Sequence, residues 1–161
     1  MIIDAQLRFS GAIADDASAT VTGQGPLTAT AISTNVIDLR APGSTPALVD
    51  EAVGEWNLDL IVKTIVAGAA GTSLTVTLES DSTADLATSA TVHASSGTIL
   101  TAALTANKVI WRTKLPFGDY ERYLGLRYTI AGAMTGLTVE SFLTPVVDRN
   151  IQYPNNYTID A

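Results

Sequence analysis

The feature that most constrains this sequence is a recurring alternation of apolar and polar residues with a period of two. Leu74, Val76 and Leu78 alternate with two threonines and a glutamate. Because successive side chains of a β-strand point to opposite faces of the sheet, this run predicts a half-buried strand with a solvated polar face. Similar runs occur at 58–66, 109–114, 123–130 and 137–144, and the first of these is apolar enough on both faces to be a central strand.

Shorter stretches predict further strands at 3–9, 35–39, 90–94 and 98–100. Residues 67–72 and 131–136 read as hairpin-like connections, and 115–119 read as a turn, because glycine and proline interrupt strands there. About eight to ten short strands with frequent turns are typical of a β-sandwich. We therefore predict an all-β fold, with a jelly roll as the commonest way to close such a sandwich.

Two stretches break the alternation. Residues 10–27 mix glycine, aspartate, serine and threonine, and predict a long loop or an extended arm. Residues 41–56 are equally compatible with an irregular loop and with one short helix, capped by Thr45 with Pro46 in the first turn and ended by Gly54. With no internal repeat and no linker, we expect residues 1–161 to form a single domain carrying these two insertions.

Composition excludes several classes of protein. The sequence has no cysteine, which removes disulfides, thiolate metal ligands and a cysteine nucleophile. A formal net charge of -7 argues against binding nucleic acid, because phosphate recognition requires a basic field. No apolar run approaches the roughly 18 residues of a membrane-spanning helix, and the first residues lack the basic region of a secretory signal. We expect synthesis in the cytoplasm and no membrane partner.

Catalytic and metal chemistry have few candidate residues. His93 is the only histidine, and we interpret it as an ordinary strand residue because no cysteine accompanies it and no Gly-x-Ser-x-Gly occurs. A hydrolase is the weakest hypothesis, with His93 and Asp119 as its best candidates. Asp81 and Asp85 on one loop could hold calcium, although a hydrogen-bonded turn is the simpler interpretation. We expect no enzyme activity, no cofactor and no metal.

The basic residues are unevenly distributed. Five of the nine lysines and arginines fall between positions 108 and 127. Strand alternation places Arg112 with Lys114 on one face, and Arg127 with Tyr123 on the neighbouring run. A solvated sheet face is one interpretation, and a basic, aromatic-edged patch that binds an acidic protein surface is the other. The candidate interface residues are Arg112, Lys114, Arg122, Tyr123 and Arg127.

Several segments, taken in order, resemble a known family. They include the stretches at 3–10 and 74–81, the most specific one at 31–39, Leu115-Pro116, the run at 123–128, and Arg149 followed by Tyr153-Pro154. Together they resemble the Bbp16-like family of phage capsid cement (decoration) proteins. The longer stretches at 10–27 and 41–56 depart from the family's pattern.

The resemblance implies a jelly-roll domain, usually dimeric, on the outer surface of a phage capsid after synthesis in the host cytoplasm. It implies the major capsid protein and a second copy of the chain as partners, with the domain bridging coat subunits and stabilising the shell. The five candidate residues are then expected to face the capsid, and residues 2–9 and 152–157 are candidates for arm exchange. The alternative is a carbohydrate- or receptor-binding sandwich of a virion, with Trp56, Trp111 and Tyr120 as an aromatic platform.

Overall fold

The computed structural model describes residues 7–11, 22–39, 58–87 and 89–145. Residues 41–56, which include Trp56 and for which a short helix and an irregular loop were equal alternatives, lie outside these residues. So do residues 2–6 of the first candidate arm and all of the second, 152–157. In chain order the strands are β1 (Arg8–Ser10), β2 (Ala31–Ile32), β3 (Ile37–Asp38), β4 (Leu58–Val66), β5 (Ala69–Ala70), β6 (Ser73–Asp81), β7 (Thr91–Leu100), β8 (Val109–Lys114), β9 (Tyr123–Ala131), β10 (Met134–Thr135) and β11 (Thr138–Pro145).

The strands form two larger antiparallel sheets and a small ribbon. One sheet has four strands in the order β1-β11-β4-β8. The other has five, in the order β2-β9-β6-β7, with β3 also pairing with β9. β5 and β10 pair with each other as the ribbon, and a single turn of 3-10 helix, Thr101–Ala103, follows β7. The predicted all-β class is confirmed, and the jelly roll stays a prediction.

The core lies between the two larger sheets. Alternate residues of β4 and β11 in one sheet pack into a single cluster with alternate residues of β6 and β9 in the other. The fully buried members include Leu60, Val62, Leu74, Val76, Leu78, Leu126, Tyr128 and Val139. The alternation predicted for 74–79 is therefore confirmed on its apolar face. β4 lies between β11 and β8, as its apolar composition predicted.

The structure corrects the strand boundaries in two places. Residues 90–94 and 98–100, predicted as separate strands, belong to the one strand β7. Two register shifts against β6 interrupt the pairing without ending the strand, and Gly97 adopts a positive φ of 67° near one of them. The connections predicted at 67–72 and 131–136 pair with each other through β5 and β10.

Two expectations about neighbours and faces are wrong. β8 and β9 follow each other in the chain, but β8 pairs with β4 and β9 pairs with β6, so they belong to different sheets. The polar face of β6 is not fully solvated either. Glu79 is buried, and an ion pair with Arg127 of the adjacent β9 offsets the cost of burying its charge.

Part of the stretch predicted as a loop or arm packs against the sandwich. Residues 22–27 run beside β11, where Gln24 and Val139 exchange backbone hydrogen bonds of 2.7 and 2.9 Å, and Leu27 is buried. Residues 12–21 of that stretch lie outside the described residues. Among the helical residues that the structure describes, no segment is long and apolar enough to span a membrane.

Candidate interaction surface

The five candidate interface residues are divided between the two sheets. Arg112 and Lys114 lie on β8, the edge strand of the four-stranded sheet. Tyr123 and Arg127 lie on β9 of the five-stranded sheet, and Arg122 directly precedes it. The five residues are therefore distributed over two regions of the structure rather than on one sheet face.

The first region is the edge formed by β8. Arg112 donates through Nε to Asp59 Oδ2 of the adjacent β4 at 2.8 Å, with a second hydrogen bond from Nη2 to the same oxygen. The Arg112 side chain is still 55% exposed, whereas Asp59 is buried. Lys114 at the end of β8 is exposed and forms no ion pair with any residue that the structure describes. This edge offers one partly neutralised cation and one unpaired cation.

The second region lies at the start of β9. Arg122 forms a two-point ion pair with Asp38 of β3, with Nε–Oδ1 and Nη2–Oδ2 distances of 3.0 and 2.9 Å. Its guanidinium also lies 4.9 Å from the centre of the Tyr123 ring, within the range of a cation–π contact. These hydrogen bonds raise the pKa of Arg122 above its ordinary value. Arg122 and Tyr123 are half-buried, and they fasten β3 to β9.

Arg127 is committed to contacts within the domain. Its Nε lies 2.9 Å from Glu79 Oε2, and its Nη2 donates to the Leu86 carbonyl oxygen at 2.6 Å. The same Glu79 accepts a 2.6 Å hydrogen bond from Thr77. A guanidinium with this set of internal partners holds the loop after β6 against the sheet.

Sequence reasoning missed Phe117, which lies in the β8–β9 connection (residues 115–122, called here the Phe117 loop). Its side chain is 84% exposed, the highest value among the exposed large apolar residues described. The loop was predicted as a turn from Pro116 and Gly118, and that signal does not reveal which way the aromatic side chain points. An open depression of about 340 Å³ adjoins the loop and is lined by Ser82, Asp119, Tyr120, Glu121 and Arg122.

His93 joins β7 to the Phe117 loop through Ser80 of β6. His93 Nε2 lies 2.7 Å from Ser80 Oγ, and the Glu121 backbone N–H donates to the same Oγ at 3.0 Å. The His93 and Tyr120 rings stack with their centres 4.1 Å apart. Ser80 is 0% exposed, so its hydroxyl is inaccessible to a substrate in solution. The contacts of Ser80 with His93 and Glu121 therefore hold the Phe117 loop against β6 and β7.

The acidic loop after β6 is organised by hydrogen bonds. Asp81 accepts from the Thr83 backbone N–H at 3.2 Å, and Asp85 accepts from the Thr83 hydroxyl at 2.7 Å. The Ala87 backbone N–H donates to Asp85 as well, at 3.2 Å. These contacts are those of Asx-type turns. Over the described ranges no three histidine or acidic side chains are grouped closely enough to hold a metal ion.

The aromatic platform of the alternative function is incomplete in the described part of the chain. Tyr120 is only 3% exposed, and its hydroxyl donates to the Pro116 carbonyl oxygen at 2.5 Å. Trp111 is half-buried and packs against the core. Burial removes Tyr120 from such a platform.

Comparison with protein families matches residues 20–143 to Bbp16. The matched range covers more than three quarters of the chain and includes β2 to β10 and β11 as far as Leu143. This chain belongs to the Bbp16 family. Membership places it in a phage-related family of proteins. A search of curated proteins finds no match.

Proposed function

We propose that this Bbp16-family protein is a phage capsid cement protein, which binds the outside of the assembled shell and bridges neighbouring major capsid protein subunits. The observation that carries the proposal is the family match over residues 20–143. In this account the protein is made in the host cytoplasm, acts as a homodimer or other homo-oligomer on the capsid surface, and has no catalytic role.

The use of polar groups in the domain supports a structural role. Within the described residues, the buried Ser80 hydroxyl and the Glu79 carboxylate both hold parts of the fold together. Their contacts fix the Phe117 loop and the loop after β6. Neither group faces a cleft where a substrate could reach it.

Physical chemistry makes a bridging role effective even when each contact is small. A ligand that binds only the assembled shell stabilises it by mass action. A molecule that touches two coat subunits at once gains effective concentration at its second contact. Specific contacts typically bury about 800 Å² per partner, and a bridging protein can hold with less at each subunit.

The β8 edge is the basic region better suited to an acidic coat surface. Lys114 is exposed and unpaired in the described structure, and Arg112 remains more than half exposed despite its contact with Asp59. Arg122 and Arg127 are also paired with carboxylates of the same chain, and their side chains are less exposed than that of Arg112. We therefore assign the electrostatic part of coat binding to Arg112 and Lys114 in the second half of β8.

The proposal is tested by co-sedimentation with shells assembled from the major coat protein of the same phage. We expect the protein to pellet with assembled shells, to saturate, and to remain in the supernatant with unassembled coat protein. Lys114→Glu should weaken pelleting about threefold to tenfold, more so at low salt. Lys108→Glu makes the same change in net charge at the other end of β8 and is the control. Failure of the unaltered protein to pellet at any ratio contradicts the proposal.

A further inference from the structure

Phe117 is exposed on a loop that has little freedom to move. A single exposed apolar side chain is ordinary on a protein surface, so exposure alone carries no argument. At 84%, however, Phe117 is more exposed than Leu100 at 60% or Val92 at 54%, which lie on the edge strand β7. The feature that sets it apart is the restraint on the backbone around it.

The Phe117 loop is fixed at both ends and across its base. At its start, the Leu115 backbone N–H donates to the Leu58 carbonyl oxygen at 2.9 Å. Across the base, the buried Tyr120 hydroxyl holds the Pro116 carbonyl oxygen at 2.5 Å. At its end, the Glu121 backbone N–H donates to the buried Ser80 hydroxyl at 3.0 Å.

A restrained loop lowers the entropic cost of binding a partner through a residue at the loop's tip. Ordering a flexible loop on association costs conformational entropy, and a loop already held in place avoids most of that cost. Aromatic side chains are enriched among the residues that dominate binding energy at interfaces. A phenylalanine that is 84% exposed on a fixed loop is therefore equipped to enter an apolar recess on a partner.

The surface area that one side chain can bury indicates which kind of partner fits. One aromatic side chain buries about 150–250 Å², far below the roughly 800 Å² per partner of a stable free-standing complex. Such a contact cannot hold a second copy in solution by itself. It fits a surface that presents many identical recesses at fixed spacing, where the same molecule makes further contacts at the same time.

We infer that Phe117 is the apolar anchor by which this protein inserts into a recess on the coat subunit of the assembled shell. The inference rests on the proposed capsid function and adds the contact that dominates it. Lys114, the last residue of β8, directly precedes the Phe117 loop, so the exposed lysine and the exposed phenylalanine are only three positions apart in the chain.

The test compares Phe117→Ala with Val92→Ala in binding to coat-protein shells. Both remove an exposed apolar side chain, and neither should change the urea midpoint of unfolding appreciably. We expect Phe117→Ala to weaken shell binding at least about tenfold, Phe117→Leu to retain part of the affinity, and Val92→Ala to stay within about twofold of the unaltered protein.

The outcomes separate the two claims. If the unaltered protein binds shells and Phe117→Ala binds equally well, the anchor is wrong while the capsid function stands. If the unaltered protein does not bind shells, both fail. If Phe117→Ala instead dissociates a dimer of the free protein in sedimentation velocity, without weakening shell binding per protomer, the occupant is a second copy and the inference is overturned.

Discussion

The arginines of the described residues each lie against a carboxylate from another strand. The most deeply buried pair joins Arg8 Nη2 of β1 to Glu140 Oε1 of β11 at 2.9 Å. Arg8 Nε and Nη1 are buried without a hydrogen-bond partner, and Phe142 lies beneath the guanidinium at 6.0 Å. Burying two charges costs free energy that a single contact repays only in part. The pair therefore joins β1 to β11 at little net gain in stability.

Removing one partner of that pair should be worse than removing both. Glu140→Leu leaves the Arg8 charge buried and uncompensated, and we expect it to lower the free energy of unfolding by about 3–5 kcal/mol. Arg8→Met combined with Glu140→Leu should recover most of that loss. Urea denaturation of the two variants checks this, and a double variant as unstable as the single one would contradict it.

Tyr128 holds a polar contact inside the core. Its hydroxyl lies 2.7 Å from Ser10 Oγ and 2.8 Å from Ser141 Oγ, so it links β9 of one sheet to β1 and β11 of the other. Burial raises the pKa of Tyr128 to about 12, although its hydrogen bonds with both serines act in the opposite direction. The hydroxyl therefore stays protonated and can donate.

Tyr128→Phe should destabilise the domain by about 1–3 kcal/mol, because it strands a buried serine hydroxyl. Tyr123→Phe is the matched control, since it also removes a phenol oxygen from β9 but keeps the ring beneath Arg122. We expect the control to unfold at nearly the same urea concentration as the unaltered protein. Equal losses in the two variants would show that the Tyr128 hydroxyl has no special role.

The Phe117 loop depends on one serine of the neighbouring strand β6. Ser80→Ala removes the acceptor of the Glu121 N–H, and we expect hydrogen exchange at that amide to accelerate about tenfold. Ser82→Ala, two residues further along and exposed, is the control. Unchanged exchange at Glu121 in the Ser80 variant would mean that the loop is held by its other contacts.

His93 should make the stability of this region depend on pH. Burial lowers the pKa of His93 below its ordinary value of 6.5, and the nearby Glu121 carboxylate opposes that effect. Because the Ser80 hydroxyl already accepts from the Glu121 N–H, the simplest arrangement has it donate to a neutral His93 Nε2. Below about pH 6.5 the unfolded chain binds more protons than the folded one, so stability falls as the pH decreases.

The measurement is the urea midpoint between pH 5 and pH 8 for the unaltered protein and His93→Gln. We expect the unaltered protein to lose stability below pH 6.5 more steeply than the variant, and the two to run parallel above pH 7. As the chain has one histidine, its NMR titration reports the folded pKa directly. Parallel curves over the whole range would contradict the proposed arrangement.

The sequence predicted the long strands well because they alternate over many residues. β4, β6, β9 and β11 each place apolar side chains of one face in the core. The two-residue strands β2, β5 and β10 were missed because a pair of residues carries no period. β7 was predicted as two strands because the residues at one of its register shifts have a sequence typical of a turn.

The candidate surface was less predictable because partners in a sandwich are distant in the chain. Arg112 and Asp59 are 53 positions apart, and Arg122 and Asp38 are 84 apart. Charge clustering found the arginines, but it could not reveal that each already had a carboxylate. Exposure of Phe117 was likewise invisible, since it depends on how the loop leaves β8.

A sandwich with a net charge of -7 needs a locally basic region if it is to bind an acidic surface. The β8 edge and the Phe117 loop supply one such place, where an exposed lysine that has no ion pair in the described structure lies three positions before an exposed phenylalanine. A protein that binds only the assembled shell stabilises that state by mass action. The contribution is repeated at every occupied site, so weak contacts add to a large total free energy.

Thermal rupture of coat-protein shells tests the central claim most directly. Shells are heated with and without the protein, and the released coat protein is measured by light scattering and sedimentation. At about 100 times the dissociation constant each occupied site adds roughly 2.7 kcal/mol to the assembled state, so we expect the rupture temperature to rise and to level off at saturation. An unchanged rupture temperature at saturating protein would contradict a cement role.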